Sequence, residues 1–283
     1  MIQLEEITSF PKFSNQLENK LLYSNHSEDI SISYQSTYTI KYVIDGLKSY
    51  NWNHCDIEVK KNQYLILNDD NLITTEAKKG TKGISLFLSS KLINEIFHFN
   101  SKENNSIKFL EILQKSSNQN INILLKEIAY LYENNQIFLM EQIDDLFIKI
   151  SELIVQEQIS IDTNFANLKI VKHDTKRELY KLIMDAKEYL NDNFREKITL
   201  DIISRDIGIS KYYLHRLFRE INKNTPLDYL TTIRLEHAKN RLKSTKETIF
   251  EVAVNCGFDN TAYFSNSFKR YIGYSPSEFR KLF

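Results

Sequence analysis

Four polar side chains near residue 215 share one face of a helical pattern and carry the groups that contact nucleic acids. They are Tyr212, His215, Arg216 and Arg219, which recur at the spacing i, i+3, i+4, i+7. The apolar residues of the same segment recur at that spacing too: Leu214, Leu217, Phe218 and Ile221. Most charged helical faces are simply exposed to solvent, and this face could be one of them. However, an aromatic ring, an imidazole and two guanidinium groups suit base edges and phosphates better than a Lys/Glu surface does.

The segment that contains this face is repeated in the chain. Thr199 corresponds to Thr248 and Gly208 to Gly257, 49 residues later. A repeat of this length is one supersecondary unit used twice. In the second copy, Phe264, Phe268 and Ile272 form the apolar stripe. The outward residues there are small and polar: Thr261, Ala262, Ser265, Asn266 and Lys269. Such side chains can hydrogen-bond bases or contact a thymine methyl group.

Capping residues indicate what each copy forms. The two threonines precede short apolar helical runs, and the two glycines end them where a left-handed residue is favoured. Ser210 and the Asp259-Asn260 pair then begin a second helix. A short helix, a glycine turn and a capped second helix predict a helix-turn-helix, whose second helix enters a major groove.

A further helix is predicted after each copy. Thr225-Pro226 and Ser275-Pro276 place proline at a first helical position, with an acidic residue that can close a capping box. The connector predicted over 227–243 is about 26 Å long, which is enough to hold two reading helices apart as one rigid body. We expect Arg234, Lys239, Arg241 and Lys243 on it to be available for salt bridges or phosphate.

The last hundred residues or so resemble the AraC/XylS family of bacterial transcription regulators. The matching positions in the second copy are Gly257-Phe258, Phe264, Phe268-Lys269, Gly273, Ser275-Pro276 and Phe279-Arg280, and the first copy matches through Gly208, Ser210, Leu214, Arg216, Phe218 and Thr225-Pro226. The resemblance implies seven helices with two helix-turn-helix units. It also implies that bases are read by Tyr212, His215 and Arg216 with Thr261, Ala262, Ser265 and Asn266. The full predicted DNA-binding set adds Lys211, Arg219, Lys269 and Arg270.

The net charge of zero conceals two halves of opposite sign. Residues 174–283 hold 20 Lys/Arg against 15 Asp/Glu, and residues 1–173 hold 17 against 22. The halves therefore carry about +5 and −5. A basic C-terminal half attracts phosphate, while an acidic companion opposes unspecific binding.

Composition narrows the remaining classes of protein. The chain has 283 residues, enough for two domains, with 42% apolar and 26% charged residues. The acidic start MIQLEEITSF is not a signal peptide, and no apolar run is long enough to span a membrane. Cys55 and Cys256 form neither a disulfide framework nor a zinc site by themselves, so a cytoplasmic location is expected.

Sequence motifs of enzymes are missing. The chain has no phosphate loop, GxSxG or HExxH. In DNA-repair relatives, an alkyl-accepting domain accompanies this pair of helix-turn-helix units. That domain needs a cysteine cluster, which two cysteines cannot supply. We therefore predict a protein that is not an enzyme and has no cofactor.

The N-terminal half is predicted to be rich in short strands. After a polar segment to about residue 36, strands are separated at Asp45-Gly46, Asn53-His54, Lys61-Asn62 and Asp69-Asp70, and GISLFL is a further strand. This pattern resembles, more loosely, the cupin-like sensor domain of many family members. His54 beside Cys55 lacks further ligands at a workable spacing, so no metal is expected. Tyr38, Tyr42, Tyr50, Trp52 and Tyr64 could line a pocket or form core.

From Ser90 the period becomes helical and predicts four helices, over 92–99, 106–115, 121–135 and 138–158. The last one carries a long apolar stripe: Leu139, Ile143, Leu146, Phe147, Ile150, Leu153 and Ile154. The stripe could pack against the predicted barrel or form a dimer interface, and its spacing does not separate these alternatives.

The predicted fold is α+β, with an N-terminal cupin-like β-barrel bearing helices and a C-terminal all-α domain with two helix-turn-helix units. The predicted limits are 1–165 for a sensor and dimerisation domain, 166–175 for a linker and 176–283 for the DNA-binding domain. The resemblance implies a homodimeric regulator, more often an activator, that binds double-stranded DNA and RNA polymerase and answers to an effector of unknown identity. The alternative is a structural or adaptor DNA-binding protein without a small-molecule effector.

Overall fold

A computed structural model describes residues 2–9, 18–52, 55–69, 71–101, 105–114, 119–168 and 172–283. The chain divides into two compact units, residues 1–166 and 167–283, called here the N-terminal and C-terminal units. Within the described ranges, no helix is long and apolar enough to cross a membrane. The functional limits predicted for the domains remain a prediction.

The N-terminal unit contains ten strands in its described part. In chain order they are β1 (Gln3–Ile7), β2 (Lys20–Asn25), β3 (Ile30–Gln35), β4 (Tyr38–Asp45), β5 (Leu47–Trp52), β6 (Cys55–Lys60), β7 (Tyr64–Leu67), β8 (Leu72–Ala77), β9 (Lys82–Leu88) and β10 (Leu113–Gln114). One sheet has the order β1-β2-β9-β4-β7-β10 and the other β3-β8-β5-β6. Only the β1–β2 pair is parallel among these strands.

The strands do not close into the predicted barrel. The chain passes from one sheet to the other between β2 and β3, β3 and β4, β4 and β5, β6 and β7, β7 and β8, and β8 and β9. No ladder joins the two sheets in the described ranges. The result is two open sheets with a shared apolar core, as in a sandwich. The α+β class of this unit is as predicted, whereas a closed barrel is not formed.

Three strands lie in the segment that the sequence presents as polar. β2 is almost wholly buried although its sequence is KLLYSN. Its Lys20 bonds Glu5 of the neighbouring strand β1 at 2.7 Å, and Ser24 donates to the Gly83 carbonyl at 3.0 Å. Because these polar side chains find partners inside the fold, the alternation of apolar and polar residues does not mark the strand.

Three helices complete the described part of this unit: α1 (Ser90–Ser101), α2 (Gln119–Asn134) and α3 (Gln136–Asn167). The apolar stripe of α3 lies in one core cluster with residues of the six-stranded sheet, such as Tyr38, Tyr42 and Tyr64. The stripe therefore packs inside its own unit, which was the first of the two alternatives.

The helix predicted over 106–115 is wrong. Residues 106–112 are irregular and Leu113–Gln114 form β10, which pairs with β7. Side chains bond the backbone of this segment: Asn68 binds both the N–H and the carbonyl of Phe109, and Tyr38 donates to the Ile107 carbonyl at 2.8 Å. Glu111, at a φ of 52°, accepts from the Trp52 indole at 3.0 Å. These bonds and the burial of both faces override the helical period.

The C-terminal unit consists of seven helices in the residues described, as the resemblance implied. They are α4 (His173–Asp192), α5 (Leu200–Ile207), α6 (Lys211–Asn222), α7 (Pro226–Ser244), α8 (Ile249–Asn255), α9 (Thr261–Ile272) and α10 (Pro276–Arg280). One core cluster joins α7, α8, α9 and α10, with Phe264 and Phe268 fully buried in it.

Candidate nucleic-acid interface

The first helix-turn-helix consists of α5 and α6, and its capping residues lie where the sequence predicts them. The Thr199 hydroxyl accepts from the Ile202 N–H at 3.3 Å, and Gly208 ends α5 with a φ of 77°. The Ser210 hydroxyl accepts from the Tyr213 N–H at 3.2 Å and begins α6. The caps satisfy backbone groups at both sides of the turn, which fixes the direction of α6.

The two faces of α6 are separated as predicted. Leu214, Leu217, Phe218 and Ile221 are buried. On the other side Tyr212 is 79% exposed, Arg216 and Arg219 are exposed, and His215 is half-buried. The predicted reading side chains of the first unit are therefore open to a ligand.

Two contacts restrict the cations at the start of α6. Lys211 forms an ion pair with Asp201 of α5 at 2.9 Å, and that carboxylate raises the pKa of the lysine. The Arg216 guanidinium lies over the Tyr213 ring, 5.6 Å from its centre. Lys211 thus already has an acidic partner, whereas Arg216 is held by a ring face that leaves its N–H edge available.

The second helix-turn-helix, α8 and α9, repeats the arrangement. Thr248 and Glu251 form a capping box on α8, and the Asn260 side chain accepts from the Tyr263 N–H at 2.9 Å to begin α9. The outward face of α9 holds the remaining predicted residues: Ala262, Asn266, Lys269 and Arg270 are exposed, and Thr261 and Ser265 are half-buried.

Two exposed features of this second unit are not in the predicted set. Tyr263 is 54% exposed on α9 and stands at the same distance from its cap as Tyr213 does on α6, so the repeat itself contained the signal. Phe250 and Val254 lie one turn apart on α8 and are 64% and 52% exposed. Two apolar residues at i, i+4 spacing ordinarily suggest a buried stripe, so the sequence did not indicate that this pair is exposed.

The connector α7 packs on both units. Tyr229 contacts Phe218 of α6 with ring centres 5.6 Å apart, and Leu235, Ala238 and Leu242 are buried against α8 and α9. At 19 residues, the helix is roughly 28 Å long. The two reading helices are therefore fixed to one element.

The basic residues of α7 are mostly occupied. Arg234 is half-buried and donates to the carbonyls of Phe194 and Glu196, each at 2.7 Å, and Arg241 pairs with Glu247. Lys243 lies over the Phe283 ring at 4.2 Å. The four residues Arg234, Lys239, Arg241 and Lys243 were expected to be available for salt bridges or phosphate. Arg241 and Lys239 form ion pairs, with Glu247 and Glu236, whereas Arg234 is not available, because its guanidinium holds the segment that joins α4 to α5.

The predicted absence of a metal site concerns residues that are only partly described. His54 lies outside the described residues, as do Asn53 and Asp70 of the predicted turns. Within the ranges that are described, no cluster of three or more His, Cys, Asp or Glu side chains could hold a metal ion. Neither Cys55 nor Cys256 forms a disulfide bond among the residues described.

Two helix-turn-helix units with polar outward faces, fixed to one connecting helix, define a DNA-binding protein. A family model described as "Helix-turn-helix domain" matches residues 203–282. The regulatory protein SoxS of Escherichia coli K12 is 31% identical over 100 residues, which cover 35% of this chain and 94% of SoxS. The chain belongs to the AraC/XylS family of transcriptional regulators.

Other relatives match the same part of the chain. The bifunctional transcriptional activator/DNA repair enzyme AdaA of Bacillus subtilis is 35% identical over 95 residues, which are 34% of this chain and 45% of AdaA. The chain thus spans less than half the length of that relative. The solved structure of a probable AraC family regulator from Rhodopseudomonas palustris is 27% identical, with a TM-score of 0.35 over 36% of this chain and 95% of the other.

Proposed function

We propose that this regulator reads two neighbouring major-groove segments of DNA, with α6 in one and α9 in the other. The observation that carries the proposal is the outward polar face on each of these helices, opposite an apolar stripe that packs in the core. The reading residues are Tyr212, His215, Arg216, Thr261, Ala262, Ser265 and Asn266. Lys211, Arg219, Lys269 and Arg270 supply backbone contacts, Lys211 after exchange of Asp201 for a phosphate.

The spacing follows from α7. Successive major grooves on one side of B-DNA are about 34 Å apart, and the connector spans roughly 28 Å before the width of each unit is added. Because α7 packs on both units, the two reading helices bind as one body. A single chain therefore covers two short base clusters about one helical turn apart.

The remaining activity is regulation, not catalysis. The N-terminal unit is acidic by composition and contains a buried core between two sheets, which suits an effector-binding unit that controls the reader. We infer that the protein acts as a homodimeric activator in contact with RNA polymerase, with an effector bound by the N-terminal unit. The AdaA match supports the activator assignment, since that relative's name states a transcriptional activator.

Arg216 tests the reading face. Full-length protein is used to select genomic DNA fragments, and its binding to the selected duplex is measured for Arg216→Ala and Arg216→Lys against every single-base change. A bidentate Arg–guanine contact is worth about 1–3 kcal/mol of discrimination, which Lys does not restore. We expect both variants to lose preference at particular base pairs only.

The matched control removes a charge elsewhere in the same unit. Lys281 is exposed beyond α10, so Lys281→Ala removes one positive charge without touching either reading face. It should leave base preference unchanged. A uniform loss of affinity on all sequences in Arg216→Ala that Arg216→Lys restores would assign Arg216 to phosphate, and equal binding of selected and random duplexes by the unmodified protein would contradict the proposed function.

A further inference from the structure

A cavity between the two sheets of the N-terminal unit is lined by cationic and hydroxyl side chains. Its polar lining consists of Ser24, His26, Tyr34, Lys41, Lys48, Tyr50, Thr75 and Ser85, and the remaining walls are apolar, with Ile7, Leu22 and Phe87 among them. Its titratable groups are thus two lysines, one histidine and two tyrosines. No carboxylate is part of the described lining.

Both lysines are buried without an acidic partner in the described part of the chain. Lys41 is 1% exposed and Lys48 is 4% exposed. The Lys41 ammonium donates to the Ser85 hydroxyl at 3.3 Å, and the Lys48 ammonium donates to the Ser24 hydroxyl at 2.5 Å. By contrast, the buried Lys20 on β2 is paired with Glu5. Buried ammonium groups are normally paired in this way.

Aromatic rings around Lys41 do not replace an anion. Its ammonium lies 4.3 Å from the centre of Phe87 and 5.0 Å from that of Tyr34. Cation–π attraction is weaker than the cost of removing an ammonium from water, so the charge is still disfavoured. Burial lowers the pKa of Lys41 well below its ordinary value, and Lys48 adds to this. Burial also lowers the pKa of Lys48 to about 7.

His26 also lines the cavity, and its two ring nitrogens, Nδ1 and Nε2, have no hydrogen-bond partner among the described residues. The residue is 3% exposed. Burial and the nearby Lys48 lower its pKa to about 4, so the ring is neutral at pH 7. An unpartnered buried imidazole is costly, and a ligand that accepts from its N–H would remove that cost.

The size of the cavity limits what enters it. The space open to the centres of water-sized molecules is about 30 Å³, and one water needs roughly 10–15 Å³ on this measure. About two water positions fit the space, so a small planar carboxylate is close to its limit and the larger tetrahedral phosphate exceeds it.

We propose that this cavity binds a small carboxylate, whose two oxygens accept from the side-chain nitrogens of Lys41 and Lys48 and from the ring N–H of His26. Its single negative charge compensates one ammonium charge, that of Lys48, and its oxygens fill the hydrogen-bonding vacancy of His26. Its role as the effector of transcription rests on the proposed function, but its binding does not, because every group involved belongs to the N-terminal unit.

The single tryptophan of the chain allows a direct measurement in the full-length protein. Trp52 is 1% exposed and shares a core cluster with Tyr34, Tyr50 and Phe87, so its fluorescence follows unfolding of this unit. Thermal unfolding is recorded with sodium acetate, sodium phosphate, acetamide and, at matched ionic strength, sodium chloride. We expect acetate at ten times its dissociation constant to raise the midpoint by about 3 °C above chloride, and acetamide and phosphate to have no such effect.

Variants separate the cavity from general salt effects. Lys41→Met and Lys48→Met should each abolish the acetate shift, and either suffices if the other does not fold. Lys20→Met removes a buried lysine that does not line the cavity and should keep the acetate shift. Binding should also take up protons, so that acetate affinity falls by up to roughly tenfold per pH unit above pH 7, as Lys48 loses its proton in the free protein.

Three outcomes would overturn the proposal. The first is that acetate raises the unfolding midpoint no more than chloride does. The second is that acetate raises the midpoint of Lys41→Met and Lys48→Met as much as that of the unmodified protein. The third is that phosphate raises the midpoint and acetate does not. Binding of the selected DNA duplex is measured on the same samples. If acetate causes no shift while DNA binding is intact, only the proposed carboxylate site is contradicted. If the acetate shift is intact but DNA binding is not sequence-specific, only the proposed DNA-binding function is contradicted.

Discussion

Gly257 is the residue at which the backbone of the second helix-turn-helix depends most directly on glycine. Its φ is 81°, and a Cβ there would lie 2.8 Å from the Phe194 carbonyl oxygen and 2.9 Å from that of Arg195. Gly208, its counterpart in the first unit, has a φ of 77° but nothing within 4 Å of the added atom. The two positions therefore share a left-handed backbone conformation, which glycine adopts readily, and differ in steric contact.

This difference predicts unequal effects of the same substitution. Gly208→Ala should cost about 1 kcal/mol of the free energy of unfolding, for the left-handed conformation alone. Gly257→Ala should cost about 3 kcal/mol, because the loop after α4 must also move. Urea unfolding followed by circular dichroism at the helical band measures both, with Trp52 fluorescence as the record of the other unit. Equal losses would show that the 194–195 backbone yields freely.

Lys48 predicts a pH dependence for the N-terminal unit. Its folded-state pKa of about 7 lies below the unfolded value, so between these pH values the unfolded chain binds more protons, and stability rises with pH. For one such lysine the gain from pH 7 to pH 9 is about 2 kcal/mol. Lys48→Met should remove that gain and be more stable than the unmodified protein at pH 7.

The measurement is urea unfolding of the full-length protein followed by Trp52 fluorescence at both pH values. His26 faces the same cavity but titrates near pH 4, so it contributes little above pH 7. Burial also lowers the pKa of Lys41, so this lysine adds a slope of the same sign that persists in Lys48→Met. A pH slope that is the same in Lys48→Met as in the unmodified chain would place the proton change elsewhere.

At the scale of elements, the C-terminal unit could be predicted because its signals are local. Caps such as Ser210 and Asn260 and the apolar period of α6 and α9 agree with one another and with the packing. In the N-terminal unit the deciding interactions are distant in sequence. The 106–112 segment is held by Tyr38 and Asn68, and β2 by Glu5 and Gly83, which no local pattern reveals.

The same distinction between local signals and distant contacts applies to the candidate site. The exposed face of α6 follows from helical spacing, whereas the occupation of Arg234 by the carbonyls of Phe194 and Glu196 depends on tertiary packing. The cavity lysines were not predicted either, because Lys41 and Lys48 lie on strands of different sheets. Their meeting depends on how the sheets face each other.

The connector α7 predicts how the two reading helices are coupled. Inserting Gly-Gly after Ala238 rotates and extends the second half of the helix, which would separate Leu242 from the core it shares with Ala238. We expect the affinity for the selected duplex to fall at least tenfold, while circular dichroism shows that the helices persist. Lys239→Gly with Asn240→Gly is the control, because it lowers helix propensity without shifting the register. Equal losses in both would show that the loss comes from the weakened helix and not from the changed spacing of the two units.

At the scale of the whole molecule, the two halves of the chain differ in charge and in role. Residues 174–283 have a basic excess and residues 1–173 have an acidic excess. The basic part holds the two exposed faces on α6 and α9, and the acidic part holds the buried cationic cavity. Phosphate attraction is thereby concentrated where the reading helices lie. The lysines of the cavity are shielded from DNA by their burial.

The central claim is that one chain reads DNA through both α6 and α9. Missing-base interference of the full-length protein on its selected duplex tests this most directly, since it maps each base that binding requires. The account predicts two short clusters about one helical turn apart for each bound chain, with Arg216→Ala erasing positions in one cluster and Asn266→Ala positions in the other. A single cluster that responds to both substitutions, or to Arg216→Ala alone, would contradict it.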